Sequence, residues 1–265
     1  MTINGKIEKL IDIIKPMDGA VIAFSGGADS TLVLKAASMA GLKRILAVTA
    51  VSESLPGEEL LFAKQVAVSL SVPHRIIETK ELQDENFASN PPERCYYCKK
   101  ELFCKLQKIA LEEGFSNILD GTNADDRQDH RPGRRAAAET GVRSPLLEAG
   151  LTKKEIRDIS FELGLATWDK PAAPCLASRF PYGHKITAEN LRMVAQAEEF
   201  LRKFGLKEFR VRHHGDIVRI EVLPEDRAVF ENNETRKQTV DFFKTIGFKY
   251  VALDLQGFRS GSLNE

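Results

Sequence analysis

The stretch Ala20-Val21-Ile22-Ala23-Phe24-Ser25-Gly26-Gly27-Ala28-Asp29-Ser30-Thr31 decides how the rest of the chain is read. Its opening run is apolar, which suits a short buried strand. Gly26 and Gly27 then let the backbone approach a ligand closely, and Ser25 and Ser30 offer hydroxyls. A helical pattern begins at Asp29, so unpaired N–H groups at its start would favour an anion. No lysine follows the glycines, which separates this loop from the P-loop of the common nucleotide triphosphatases. The same residues also suit a plain strand-to-helix turn with an Asp-Ser cap.

Working outward, short apolar runs alternate with amphipathic segments over the first 165 residues. That rhythm predicts an α/β fold, a parallel sheet covered by helices. Strands are expected at 20–24, 45–51, 74–78 and 117–120, with helices at 29–40, 56–70 and 99–113. From Ile186 the pattern becomes α-β-β-α-β: a helix at 187–204, strands at 208–212 and 217–222, a helix at 224–246 and a strand at 249–253. We therefore expect a first domain over 1–184 and a smaller α+β domain over 185–265. The join between them, Trp168 to His184, carries Pro171, Pro174 and Pro181 with a cysteine and an arginine, the content of a functional loop rather than a linker.

The chain has 265 residues, 43% of them hydrophobic, enough for a substantial core. Thirty-eight Lys and Arg balance thirty-eight Asp and Glu. This zero net charge argues against binding to nucleic acid or anionic membrane by bulk charge. Apolar runs are too short to span a bilayer, and the first residues do not read as an export signal. A cytoplasmic protein is expected, in which four cysteines stay out of structural disulfides.

Three further groups of residues carry chemistry. Ile118-Leu119-Asp120 runs into Gly121-Thr122-Asn123-Ala124-Asp125-Asp126, a loop at the carboxyl end of a strand, where open parallel sheets bind ligands. Asp125 and Asp126, with Asp129 nearby, could hold a hard cation or simply suit a helix dipole. Cys95 and Cys98 form a Cys-x-x-Cys pair, open to metal, redox or incidental readings. Cys104, among Leu102, Phe103 and Leu106, reads as a buried apolar thiol. Cys175 follows Pro171 and Pro174 and precedes Arg179, a cation that would favour a thiolate. Arg210 and Arg212 alternate onto one face of a strand, where paired guanidiniums suit a phosphate or form a solvated face.

Ser25-Gly26-Gly27-Ala28-Asp29-Ser30 resembles the SGGxDS signature of the PP-loop ATP pyrophosphatase superfamily, whose fold is adenine nucleotide α-hydrolase-like. The resemblance implies that Ser25, Gly26, Gly27, Ser30, Thr31 and Gly121 bind ATP and that Asp29, with Asp125, helps bind Mg2+. More specifically, the chain resembles the LarE family across nearly its whole length. The matching stretches are Asp120 to Asp126, Arg131-Pro132-Gly133, Ser144-Pro145-Leu146, Trp168 to Pro171, Pro174 to Arg179 and Pro181-Tyr182-Gly183. The family adenylates the carboxylates of pyridinium-3,5-dicarboxylate mononucleotide and exchanges oxygen for sulfur. By this resemblance Arg179, Arg210 and Arg212 clamp the substrate phosphate. One branch of the family gives up the sulfur of a single cysteine, matching Cys175. Another holds a 4Fe-4S cluster on three cysteines, matching Cys95, Cys98 and Cys175, with sulfide or another sulfur donor replenishing it. The three-cysteine pattern points to the cluster, since three thiolates leave one iron open. A homo-oligomer is also implied. Against this stand a PP-loop tRNA thiolation enzyme, an amidating synthetase and a non-catalytic nucleotide or iron–sulfur sensor. The neutral charge disfavours the first, and an amidating synthetase has no need of these cysteines. Release of pyrophosphate would exclude the sensor.

Overall fold

The computed structural model describes residues 3–127, 132–171 and 174–259. Asp129 and Arg131, quoted above, lie outside them. Four parallel strands form one sheet: β1 (Gly19–Ala23), β2 (Arg44–Val51), β3 (His74–Glu78) and β4 (Ile118–Leu119), in the order β3-β2-β1-β4. The helices of this part are α1 (Ile3–Ile14), α2 (Ala28–Met39), α3 (Gly57–Ser69), α4 (Glu85–Ala88), α5 (Arg94–Glu113), α6 (Gly133–Glu139), α7 (Pro145–Ala149) and α8 (Lys153–Glu162).

β1 is buried along its whole length because helices cover both faces of the sheet. Successive strand side chains point to opposite faces, so Ala20 and Ile22 join one core while Val21 and Ala23 join the other. The first core includes Leu10, Ile14, Leu32, Leu34, Ile156 and Ile159; the second includes Phe103, Leu106, Ile109 and Ala137. With both faces filled, β1 delivers its carboxyl end at a fixed position, and α2 starts there.

The second part contains α9 (Ala188–Arg202), the antiparallel pair β5 (Phe209–His214) and β6 (Ile217–Val222), α10 (Asn233–Thr245) and β7 (Tyr250–Leu253), parallel to β6. Gly215, at φ +67°, makes the turn between β5 and β6. The helix expected over 224–246 is two elements: a 3-10 segment, Pro224–Phe230, and then α10, restarted by Asn232, whose side chain accepts from the N–H groups of Glu234 and Thr235.

Backbone contacts divide the chain into one unit of Met1–Phe87 and Glu93–Ala173 and another of Ala88–Pro92 and Pro174–Glu265. The division thus falls inside the Trp168–His184 loop, ahead of the 184/185 join read from sequence. Hydrogen bonds explain the difference. The Asn90 amide donates to the carbonyls of Phe180 and Pro181, and Ile186 N–H donates to Ala88 O, so this stretch folds with the second unit.

α8 opens with a capping box: Thr152 accepts from Glu155 N–H, and the Glu155 carboxylate accepts from Thr152 N–H at 2.9 Å. Glu155 also pairs with Lys6. The Lys6 bond and the cap hold the Glu155 carboxyl at about 2, below its ordinary 4.5. A depressed acid stabilises the fold above its unfolded value, and that contribution disappears as pH falls through the folded value. Glu155→Gln should therefore cost about 1 kcal/mol at neutral pH, the size of a lost cap. In urea titrations the gap from the parent chain should close as pH falls from about 4.5 towards 2; a gap independent of pH would contradict it.

Candidate functional site

Gly27 occupies the N-cap of α2 and, having no side chain, offers no cap to the N–H groups of the first turn. The Asp-Ser cap that the sequence also allowed does not form. Instead the serines fold the loop on itself. Ser25 Oγ lies 3.1 Å from Ser30 Oγ and accepts from Gly27 N–H, while Ser30 Oγ accepts from Ser25 N–H. Gly26 has φ +70°, and a Cβ there would meet the Ala63 backbone at 2.8 Å. The loop is thus pressed against α3; its Ser25 and Gly27 N–H groups are taken by the serine hydroxyls, and the N–H groups of the first turn of α2 are the ones left for an anion.

The second loop lies directly on the first. A Cβ on Gly121 would meet Ser30 N at 2.9 Å and Asp29 Cβ at 3.2 Å. Asp120 is buried and shapes this loop, accepting from Thr122 N–H, Thr122 Oγ1 and Ser144 Oγ. Asp125 accepts from Lys153 N–H at 2.8 Å, so one oxygen of this expected cation ligand serves the start of α8. Asp126 is buried and accepts from Asn123 N–H.

Asp29 sits where these pieces meet. Its Oδ1 and Asn123 Nδ2 are both buried and make no well-formed hydrogen bond, although the Asn123 amide lies near enough to favour the Asp29 carboxylate. Burial raises the Asp29 carboxyl above its ordinary value, helped by the Asp126 charge and opposed by the Lys153 ammonium, 3.6 Å from Oδ2. An orphaned carboxylate oxygen beside uncapped N–H groups suits a hard cation that bridges it to phosphate oxygens. Thr31 Oγ1, also buried, is likewise unpartnered.

Two lysines that the sequence reading left unassigned belong here. Lys153 faces Asp29. Lys170 pairs with Glu59 at 2.8 Å, donates to Gly26 O at 3.4 Å and lies over the Phe62 ring. Lys170 falls in the Trp168 to Pro171 stretch that matches the family, but nothing local gives either lysine a role, because each reaches the loop through the tertiary fold.

Cys95 and Cys98 fall in the first turn of α5, three residues apart on one side of the helix, exposed and half-buried respectively. The helix begins before residue 99, so the pair lies within it. Cys104 is exposed, not buried as expected, because Phe103, Leu106, Ile109 and Ala110 take the inward face of α5. None of the four cysteines forms a disulfide. Among the described residues no three His, Cys, Asp or Glu side chains gather into a metal-sized group. Cys95 and Cys98 belong to the first unit and Cys175 to the second.

In the second unit, half-buried Cys175 precedes a 3-10 turn, Leu176–Arg179. Arg179 is buried and paired through Nε and Nη2 with Glu198, at 2.8 and 3.0 Å. Arg212 makes the same forked pair with Glu221, both bonds 2.9 Å. Arg210 has no carboxylate partner among the described residues; it donates to Phe209 O and lies over the Phe258 ring. Burial and the charges of Arg179 and Arg212 lower it to about 10, so it stays a cation at neutral pH. The three expected clamp residues are thus close enough to feel one another's charge, but Arg210 alone lacks a paired carboxylate.

No helix among the described residues is long and apolar enough to cross a membrane. The family model of the queuosine biosynthesis protein QueC matches residues 19–90, which span β1, the glycine loop and β2. The chain is 46% identical to an uncharacterized protein of Synechocystis over 99% of its length and 98% of that protein. It is 40% identical to the pyridinium-3,5-bisthiocarboxylic acid mononucleotide synthase of Lactiplantibacillus plantarum, over 100% of this chain and 95% of the synthase. A tRNA-specific 2-thiouridylase of Rickettsia rickettsii is 28% identical over 57% of this chain and 51% of its own. Relationship along the full length, together with a loop built for nucleotide phosphates, gives the assignment: the chain belongs to the LarE family of ATP-dependent, PP-loop sulfur transferases.

Proposed function

We propose that this protein adenylates the carboxylates of pyridinium-3,5-dicarboxylate mononucleotide and converts them to thiocarboxylates. The observation that carries the reading is the uncapped start of α2 beside the orphaned Asp29 Oδ1, in a chain related end to end to a synthase of the bisthiocarboxylate. A substrate carboxylate oxygen attacks the α-phosphorus of ATP, and pyrophosphate leaves. Ser25, Gly26, Gly27, Ser30 and Thr31 hold the departing pyrophosphate, and Gly121 keeps the second loop close. Mg2+ on Asp29, with Asp125 or its neighbour Asp126, would neutralise the charge that builds there. Sulfur then bonds to the acyl carbon as the C–O bond breaks and AMP departs. Arg210 supplies the unmatched cation for the substrate phosphate, with Arg179 and Arg212 beside it.

The thiols fit a sulfur-carrying group in their chemistry. Cys95 and Cys98 share one accessible side of a helix start, where N–H groups favour thiolates. A 4Fe-4S cluster on Cys95, Cys98 and Cys175 would supply an open iron for a transferable sulfide drawn from an inorganic or protein donor. Four cysteines outside disulfides suit the cytoplasm, and a homo-oligomer belongs to the same reading. A tRNA substrate is disfavoured by the partial match to the thiouridylase and by zero net charge.

Asp29→Asn tests the nucleotide site. A carboxyl raised in the fold stabilises it below the unfolded value and less as pH rises through the folded one. At neutral pH the cation-free variant should therefore melt higher than the parent, yet release pyrophosphate about 100-fold more slowly. A lower melting temperature with normal release would sink the assignment.

Cys95→Ala tests the sulfur route. With a cluster, protein prepared without oxygen should lose its brown colour, its iron and its repeated turnover. If Cys175 were sacrificed, the variant would still pass on one sulfur per chain. The spent parent protein would then be lighter by the elements of hydrogen sulfide, about 34 Da.

A further inference from the structure

We infer that Arg179 and Glu198 are positioning residues that fix the backbone around Cys175; this rests on Cys175 acting in sulfur transfer. Arg179 Nη1 donates to Pro174 O at 3.0 Å, to Cys175 O at 3.4 Å and to Ser178 Oγ at 2.9 Å. Its other two nitrogens are taken by Glu198, so every nitrogen of the fork has a protein partner. Glu198 is itself tied down, since its Oε1 also accepts from Val211 N–H on β5. From the other side Arg212 Nη1 donates to Ser178 O at 2.7 Å while Glu221 holds its remaining edge. A single turn carrying a functional thiol is therefore pinned to α9, β5 and β6 by two buried forked pairs.

A buried pair of this kind is a poor source of stability, because desolvating both ions offsets most of their attraction. Its geometry is the gain. A planar fork can hold two carbonyls of a turn and both oxygens of a carboxylate at once, more than the three donors of a lysine ammonium can meet. It also narrows the role read for Arg179: each of its nitrogens already serves Glu198 or the turn, which leaves Arg210 as the better donor to a substrate phosphate.

The test compares Glu198→Gln and Arg179→Lys with the parent protein. In iron-free chains, peptide-resolved iodoacetamide labelling should be about fivefold faster at Cys175 and unchanged at exposed Cys104, since only the turn is released. In protein loaded with iron and sulfide, the sulfur-transfer kcat should fall about tenfold with the mononucleotide KM within about twofold. Arg179→Met with Glu198→Met removes both charges together and keeps the test open if a single variant misfolds. Parental labelling of Cys175 in folded variants would overturn the inference, as would a raised KM with unchanged kcat. The labelling arm reads the turn even if the parent protein transfers no sulfur, which would count against the proposed function instead.

Discussion

The N-terminus of α2 is left without a side-chain cap, and the site depends on that omission. Helix starts ordinarily recruit a hydroxyl or carboxylate to satisfy their free N–H groups, worth about 1 kcal/mol. Here Gly27 forgoes it, and the hydroxyls of Ser25 and Ser30 bond within the loop instead. The donors stay available for an anion, and close packing holds them in place. Ala63 lies against Gly26 and Gly121 against Ser30, each too near for any side chain. Asp29 adds a carboxylate that burial disfavours until a cation arrives. Magnesium and nucleotide phosphate would together satisfy both deficits.

The second unit handles charge in the opposite way. Arg179 and Arg212 are fully matched by Glu198 and Glu221, and their remaining donors hold backbone rather than ligand. Arg210 is the exception, half-buried among like charges and lowered to about 10. An anion entering there would relieve that repulsion. Under the proposed function, backbone donors of the first unit would take one phosphate and the Arg210 guanidinium of the second another.

Much of this was legible in the sequence because it rests on local signals. β1 to β4 showed as apolar runs, and the glycine loop showed because a close approach admits no other residue at Gly26. What stayed hidden depends on contacts distant along the chain. Lys153 and Lys170 look like surface lysines until α8 and the segment before Pro171 bring them to Asp29 and Glu59. Cys104 lies among apolar neighbours in sequence, but Phe103 and Leu106 take the inward side of α5 and leave it outside, which only the packing of the helix reveals. α1 and α8 do carry apolar residues at helical spacing, Ile7, Leu10 and Ile14 in the one and Ile156 and Ile159 in the other, and so were legible, whereas α6 and α7 are too short to show a period. Alternation correctly put Arg210 and Arg212 on one strand, but it could not reveal that Glu221 on the facing strand already occupies one of them.

The central claim is that a carboxylate is activated by transfer to the α-phosphorus of ATP and then loses an oxygen to AMP as sulfur enters. Following an 18O label from the substrate carboxylates tests it most directly. Anaerobic protein with ATP, magnesium, sulfide and the labelled mononucleotide should give one 18O in AMP for each thiocarboxylate formed, with unlabelled pyrophosphate. Unlabelled AMP, or ADP and phosphate in place of AMP and pyrophosphate, would contradict the account.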